Sequence, residues 1–169
     1  MVAASSAAGR EKNTIMPLWN HATRFWVRRK VEIQECFMTE LGLEWRGDFD
    51  NQELNAMHAE AFDHAILEID WTSQVKAHSL GWVTAREAGE LVGFVNVAWD
   101  GECHAFLLDT IVSARRRRQG IGRQLIAVAA AEAHAAGCEW LHVDFDEEHR
   151  PFYLDACGFE PTPAGLMKL

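Results

Sequence analysis

The chain has 169 residues, 49% apolar and 24% charged, with a formal net charge of −9. That length holds one ordinary domain with a real core but not two, and the balance is that of a soluble globular protein. No stretch approaches the ~20 apolar residues of a membrane span, and the start lacks the apolar segment of a secretory signal. A cytoplasmic protein is expected. Cys36, Cys103, Cys138 and Cys157 form no CxxC pair and no metal-ligand spacing with histidine. They read as reduced thiols, with no metal expected.

The charge is unevenly spread. Residues 1–31 hold six basic residues against Glu11 alone, leaving 10 basic and 24 acidic residues in the remainder. Five of those 10 lie between Arg115 and Arg123. An acidic body with one basic spot is a poor general nucleic-acid binder, but it suits one polyphosphate ligand.

Residues 1–38 form a distinct extension, first small and polar, then basic and aromatic, with no clear period. A poorly ordered end is expected, with an organelle presequence as the alternative. The elements sharpen in residues 39–169. Leu43, Glu44 and Trp45 suit a short strand, and Asp50 is an N-cap for a helix to Phe62 with Leu54, Met57, His58 and Ala61 on one face. A second helix spans residues 71–78. Strands follow over residues 82–85, 91–99 and 104–112, with turns at Ala88-Gly89 and Asp100-Gly101. An alanine-rich helix covers residues 121–136, closed by Gly137. Residues 140–145 alternate as a strand, residues 150–156 form a short helix, and residues 159–169 are expected to give two short edge strands limited by Pro161 and Pro163. A helix between two strands makes a right-handed parallel crossover the default. The expected fold is α/β, a mixed and largely antiparallel sheet with helices on both faces.

The most informative stretch is Arg117-Arg118-Gln119-Gly120-Ile121-Gly122-Arg123, placed between a strand and a helix. Its glycines let backbone approach a ligand, and the helix's first N–H groups point outward beside arginines. Such an end attracts a pyrophosphate. A nucleotide P-loop needs Lys-Ser or Lys-Thr after its last glycine, where Arg123 and Gln124 stand. The dinucleotide fingerprint needs a small residue where Leu125 stands.

These residues resemble the signature of the GNAT superfamily of acyl-CoA N-acyltransferases: Arg or Gln, two residues, Gly, one residue, then Gly or Ala. Phe152-Tyr153-Leu154-Asp155-Ala156-Cys157-Gly158-Phe159 is similar to the superfamily's Tyr-x-x-x-Gly-Phe element. Two motifs in the family's order carry more than either alone, and the likeness covers about residues 41–169. The resemblance implies N-acetyl transfer from acetyl-CoA to an amine by direct attack in a ternary complex. The alternative is a non-catalytic acyl-CoA sensor of the same fold. It implies that amides from Arg118 to Arg123 cradle the pyrophosphate, and that Thr110, Ile111 and Val112 pair with pantetheine like an added strand. Asp146 departs from the asparagine many relatives have about seven residues before the tyrosine, and a carboxylate cannot donate that amide hydrogen bond.

Amine attack needs a neutral amine and a stabilised thiolate. An alkylamine of pKa ~10.4 is almost wholly protonated at neutral pH, so a base is useful. The resemblance makes Tyr153, the one tyrosine of the chain, the general acid, and places His142 where some relatives carry a catalytic glutamate. Asp144 shares its strand face, and Asp109 interrupts an apolar strand; both are expected to face the acceptor. An ordinary strand histidine and a strand-end aspartate stay open as readings. The amine is a small molecule or a protein amine, and a strand-edge homodimer is open. Nucleic acid, through residues 1–31 and Arg115–Arg118, is the weaker reading of the basic residues.

Overall fold

Two aspartates start the first two helices in the computed structural model, which describes residues 40–169. The expected poorly ordered extension and its presequence alternative lie outside the described residues. Asp50 accepts hydrogen bonds from the N–H groups of Gln52 and Glu53 at 2.7 and 3.2 Å, opening α1 (Asn51–Phe62). Asp70 caps α2 (Trp71–His78) through the Ser73 N–H. Such side-chain acceptors satisfy donors that a helix start otherwise leaves unpaired. The connection between α1 and α2 is tied down from α1 itself. Asn51 donates to Asp70 and accepts from Thr72, while buried Asn55 bonds both backbone groups of Ile69 and the Trp71 indole N–H.

Five strands form one sheet in sequence order: β1 (Leu41–Trp45), β2 (Ser79–Glu87), β3 (Glu90–Trp99), β4 (His104–Val112) and β5 (Trp140–Val143). The first four are antiparallel neighbours, and β5 lies parallel to β4 after the crossover through α3 (Ile121–Ala135). Ala88 and Gly89, both at positive φ, close the β2–β3 hairpin as a two-residue turn whose twist matches the strands. α3 buries Ile121, Leu125, Ile126, Ala129 and Ala133, a stripe at helical spacing. It ends where Gly137 takes a φ of +99°, with Gly137 N–H donating to His134 and Cys138 N–H to Ala133.

The sheet therefore has two different faces. On one, α3 packs over Val83, Ala85, Val92, Val95, Val97 and Leu107; on the other, α1 and α2 pack over Leu91, Phe94 and Ile111. The expected mixed α/β sheet with helices on both faces is present. Two details correct the sequence reading. The fourth helix is a wide π-type turn (Pro151–Ala156), in which the Cys157 N–H reaches back five residues to Phe152. Residues 159–169 form no strand: Pro161 and Pro163 bring no N–H to a ladder, and residues 160–169 stay exposed. Among the described residues β5 is consequently the last strand of the sheet, with one open edge.

Candidate active site

β4 carries the irregularity on which the site is built. Phe94 pairs with Ile111 and Asn96 with Leu108, so one residue of β3 faces two of β4, Asp109 and Thr110. Asp109 takes a φ of +52°, an uncommon conformation for a residue with a Cβ. Such a bulge re-aims side chains. Leu107 points into the α3 core, whereas Asp109 reaches His58 of α1, and Thr110 turns to Tyr153 on the α3 side.

The same strand loses its second neighbour there. Pairing with β5 stops at Leu107 and Val143, while β4 continues to Val112. Thr110, Ile111 and Val112 thus present a strand edge that β5 does not cover. Past Val112, Arg116 N–H closes a turn onto Ser113, and the chain enters α3 through Gly120 at φ +81°. Gly120 offers no capping side chain, so the first N–H groups of α3, on Ile121, Gly122 and Arg123, are left for an outside acceptor. A Cβ on Gly122 would lie 3.1 Å from the Phe152 ring, so glycine allows the helix start to sit against the π-type turn.

The basic run divides by partner. Arg115 pairs with Glu90 and Arg116 with Glu87, which fixes the loop onto the β2–β3 hairpin. Arg117 donates to the Val112 carbonyl and Gln119 to that of Arg115. Among the described residues, Arg117, Arg118 and Arg123 have no carboxylate partner. The positive charge left beside the glycine turn is therefore concentrated next to the free amides.

Tyr153 is 8% exposed and boxed by Phe145, Phe152 and Phe159, with ring centroids 4.9, 4.9 and 5.9 Å away. Burial pushes its phenol above the ordinary tyrosine range, opposed by a hydrogen bond with Thr110. It stays a protonated donor through neutral pH. Burial likewise raises the Cys157 thiol, with Arg123 opposing, so Cys157 is a poor nucleophile.

His142 lies on the opposite sheet face from Tyr153, exposed, stacked on Phe106 at 4.7 Å and 2.8 Å from His104 Nδ1 through its Nε2. Asp144 shares the face but makes no bond to it among the described residues. Both line a groove of about 990 Å³ along the open edge of β5, which also takes in Trp140, Leu108, Arg123 and Cys157. At the start of β4, Asp100, Cys103 and His104 bring one ligand-type atom each within 4.8 Å, a grouping that the cysteine spacing did not reveal. One Asp100 oxygen there already accepts the Glu102 and His104 N–H groups.

The structure thus brings Thr110 together with Tyr153 and sets the glycine turn at the end of the same strand. It keeps Asp109 and His142 apart from Tyr153, on the other face of the sheet. Sequence reading missed His58, His64, Asn96 and His104. The one signal was a histidine, His58, within the inward stripe of α1.

A bulged strand with an uncovered edge, leading through a glycine turn into an uncapped helix with a buried tyrosine alongside, is the architecture of an acyltransferase fold. The chain belongs to the Acetyltransferase (GNAT) family, whose profile matches residues 39–159. Solved structures of the same fold include a Trypanosoma brucei acetyltransferase (16% identity, 76% of this chain and 99% of that chain, TM-score 0.66). Another is the glucosamine-6-phosphate N-acetyltransferase of Arabidopsis thaliana (12% identity, 76% and 98%, TM-score 0.61). A third is the aminoglycoside N-acetyltransferase AAC(6')-Iy in complex with CoA (18% identity, 78% and 95%, TM-score 0.65). No curated protein sequence matches the chain significantly. Among the described residues, no helix is long and apolar enough to cross a membrane.

Proposed function

We propose that this chain transfers an acetyl group from acetyl-CoA to an amine by direct attack in a ternary complex. The observation that carries the reading is the uncapped start of α3 at Gly120, set directly beyond the uncovered edge of β4. Amides of Ile121, Gly122 and Arg123, with the Arg117, Arg118 and Gln119 side of the turn, receive the pyrophosphate of CoA. Pantetheine amides then pair with Thr110, Ile111 and Val112 as an added strand, which points the thioester at the bulge. One protein of this fold, AAC(6')-Iy, has been solved both with CoA and with the bisubstrate analogue CoA-S-monomethyl-acetylneamine, which supports the pairing of donor and amine in one site.

The chemistry follows from what surrounds the thioester. The amine lone pair attacks the carbonyl carbon, a C–N bond forms, and the carbonyl electrons move to oxygen, where a β4 N–H stabilises them. Collapse restores the C=O and breaks the C–S bond, leaving the electron pair on sulfur. Tyr153 gives its phenolic proton to that thiolate and is reprotonated by the proton the amide nitrogen loses. The ammonium proton must leave before attack, and this reading assigns its removal to His142 or Asp109, on the sheet face away from Tyr153. Asp109 and Asp144 also supply negative charge for a cationic amine.

The test is calorimetric titration of acetyl-CoA into the full chain, followed by an amine panel read by free thiol. Binding with amine-dependent thiol release is expected. Binding without release for every amine would replace the enzyme with an acyl-CoA sensor, and no binding would remove both.

A further inference from the structure

α1 carries His58 on its inward side, between Phe62 and Trp71 at ring distances of 4.6 and 5.1 Å. Its Nδ1 lies 2.8 Å from Nε2 of His64, in the α1–α2 connection, and His64 Nδ1 lies 2.6 Å from the Ala65 carbonyl oxygen. At the other end, His58 Nε2 is 3.6 Å from Asp109 Oδ1, within ion-pair range. Asp109 is held from β3 by the buried Asn96 amide, whose oxygen accepts from Ser79 of β2. Among the described residues, His58 of α1 is the titratable group acting on this carboxylate, with His64 of the connection behind it on the far side of His58; β2 and β3 contribute neutral groups.

The Ala65 carbonyl only accepts, so His64 Nδ1 carries a hydrogen. The ring-to-ring contact requires a second hydrogen, and closing the 3.6 Å approach of His58 to Asp109 into a hydrogen bond requires a third. Two neutral imidazoles supply two. A carboxylate with two neutral rings is therefore one proton short of filling its own hydrogen bonds.

We propose that Asp109 takes the proton of the bound ammonium and that His58 and His64 complete a chain which that proton saturates. This rests on the amine-transfer reading above. An N–H bond of the ammonium breaks with its electron pair left on nitrogen, an O–H bond forms at Asp109, and the chain shares the proton through His58. The uncharged amide then departs, and the proton returns to water. Burial raises the proton affinity of Asp109 against the opposing His58 and Asn96, and burial lowers that of His58 despite Asp109. The gained proton is accordingly held toward the carboxylate end. Asp109 and Thr110 are consecutive, so one bulge sets a proton acceptor on one side of the strand and the Tyr153 donor on the other. Asp109 is the catalytic residue; His58 and His64 are positioning residues.

The test uses the full chain with acetyl-CoA and three amine probes: n-butylamine, spermidine and a lysine peptide. Asp109→Asn is expected to lower kcat by about 100-fold or more, and His58→Gln by about 10-fold with a displaced acid limb of the pH profile. Acetyl-CoA affinity stays unchanged in both, which also reports folding. Imidazole in the buffer restores turnover to His58→Gly. Long-range nitrogen NMR of the native chain should show His64 protonated at Nδ1, and both rings shifted by Asp109→Asn. Native activity retained by Asp109→Asn and lost in His142→Ala overturns this proposal alone. Independent titration of the two rings, insensitive to Asp109→Asn, also overturns it. A native chain that binds acetyl-CoA but releases no thiol with any amine overturns the transfer reading, and the catalytic role of the chain with it.

Discussion

The two faces of the sheet are built from different materials. Beneath α3, the buried side chains are apolar apart from the Tyr153 hydroxyl, and Leu125, Val83, Val95 and Val97 are wholly inaccessible. Beneath α1 and α2, buried Asn55, Thr84 and Asn96 interrupt an otherwise apolar core, and His58 and Asp109 lie beside them. Apolar packing is stabilising and tolerant of exchange at constant volume. Buried polar groups are costly unless each is paired. The α3 face thus holds the sheet together and anchors the helix whose first N–H groups are uncapped. The α1–α2 face gives up some apolar burial for polar groups, the ones to which the proposed mechanism gives the acceptor.

That contrast is sharpened most by removing the Tyr153 hydroxyl from the α3 face. Tyr153→Phe is expected to lower kcat by about 100-fold or more, the usual scale of a lost general acid, with acetyl-CoA affinity and thermal midpoint little changed. Steady-state thiol release checks this. Because burial raises the phenol's pKa, the native alkaline limb should lie above about pH 10, the value for free tyrosine. The sign is that of a donor kept protonated: activity persists below that point and falls as pH rises through it. A native limb near neutrality that survives in Tyr153→Phe would remove the assignment.

Leu125→Ala tests the apolar face as a support. It should cost about 2–5 kcal/mol in chemical denaturation, because a fully buried leucine leaves a cavity against the sheet. Loss under 1 kcal/mol would deny α3 that role. Gly120→Asp should weaken acetyl-CoA binding by about 10- to 100-fold, since φ +81° strains any side chain there and a carboxylate repels phosphate. Calorimetry checks it, and unchanged affinity would move the phosphate site elsewhere.

On the polar face, Asn55→Ala leaves the Trp71 indole N–H and the Ile69 backbone groups without their partner. A loss of about 1–3 kcal/mol is expected, together with faster amide exchange across residues 63–70 than across α3. The smallest effect belongs to neither face. Ala88 sits at φ +52° in the β2–β3 turn, and Ala88→Gly should stabilise the chain by up to about 1 kcal/mol. A drop in melting temperature would contradict the turn geometry.

Much of the frame was legible from local signals. Asp50 before an apolar stripe, Asp100-Gly101 between two apolar runs, and Gly137 after an alanine-rich helix each carry their own backbone instruction, and the observed bounds fall within a few residues of the expected ones. The glycine turn was legible for the same reason: its geometry is a property of consecutive residues. The terminal strands were not, because a strand exists only with a partner, and residues 159–169 find none among the described residues. The π-type turn at Tyr153 escaped too, since its wide hydrogen bonds depend on packing among Phe145, Phe152 and Phe159.

The amino-acid sequence by itself determined where helices and strands begin, which glycines open a turn, and hence the family. Only the tertiary structure decided that Asp109 and Thr110 share a bulge, that β5 leaves β4 at Leu107, and that His58, 51 positions upstream of Asp109, meets that carboxylate. The physical reason is range. Capping and turn preferences act over four or five residues, whereas register, splay and proton sharing arise between segments that meet only once the sheet has closed.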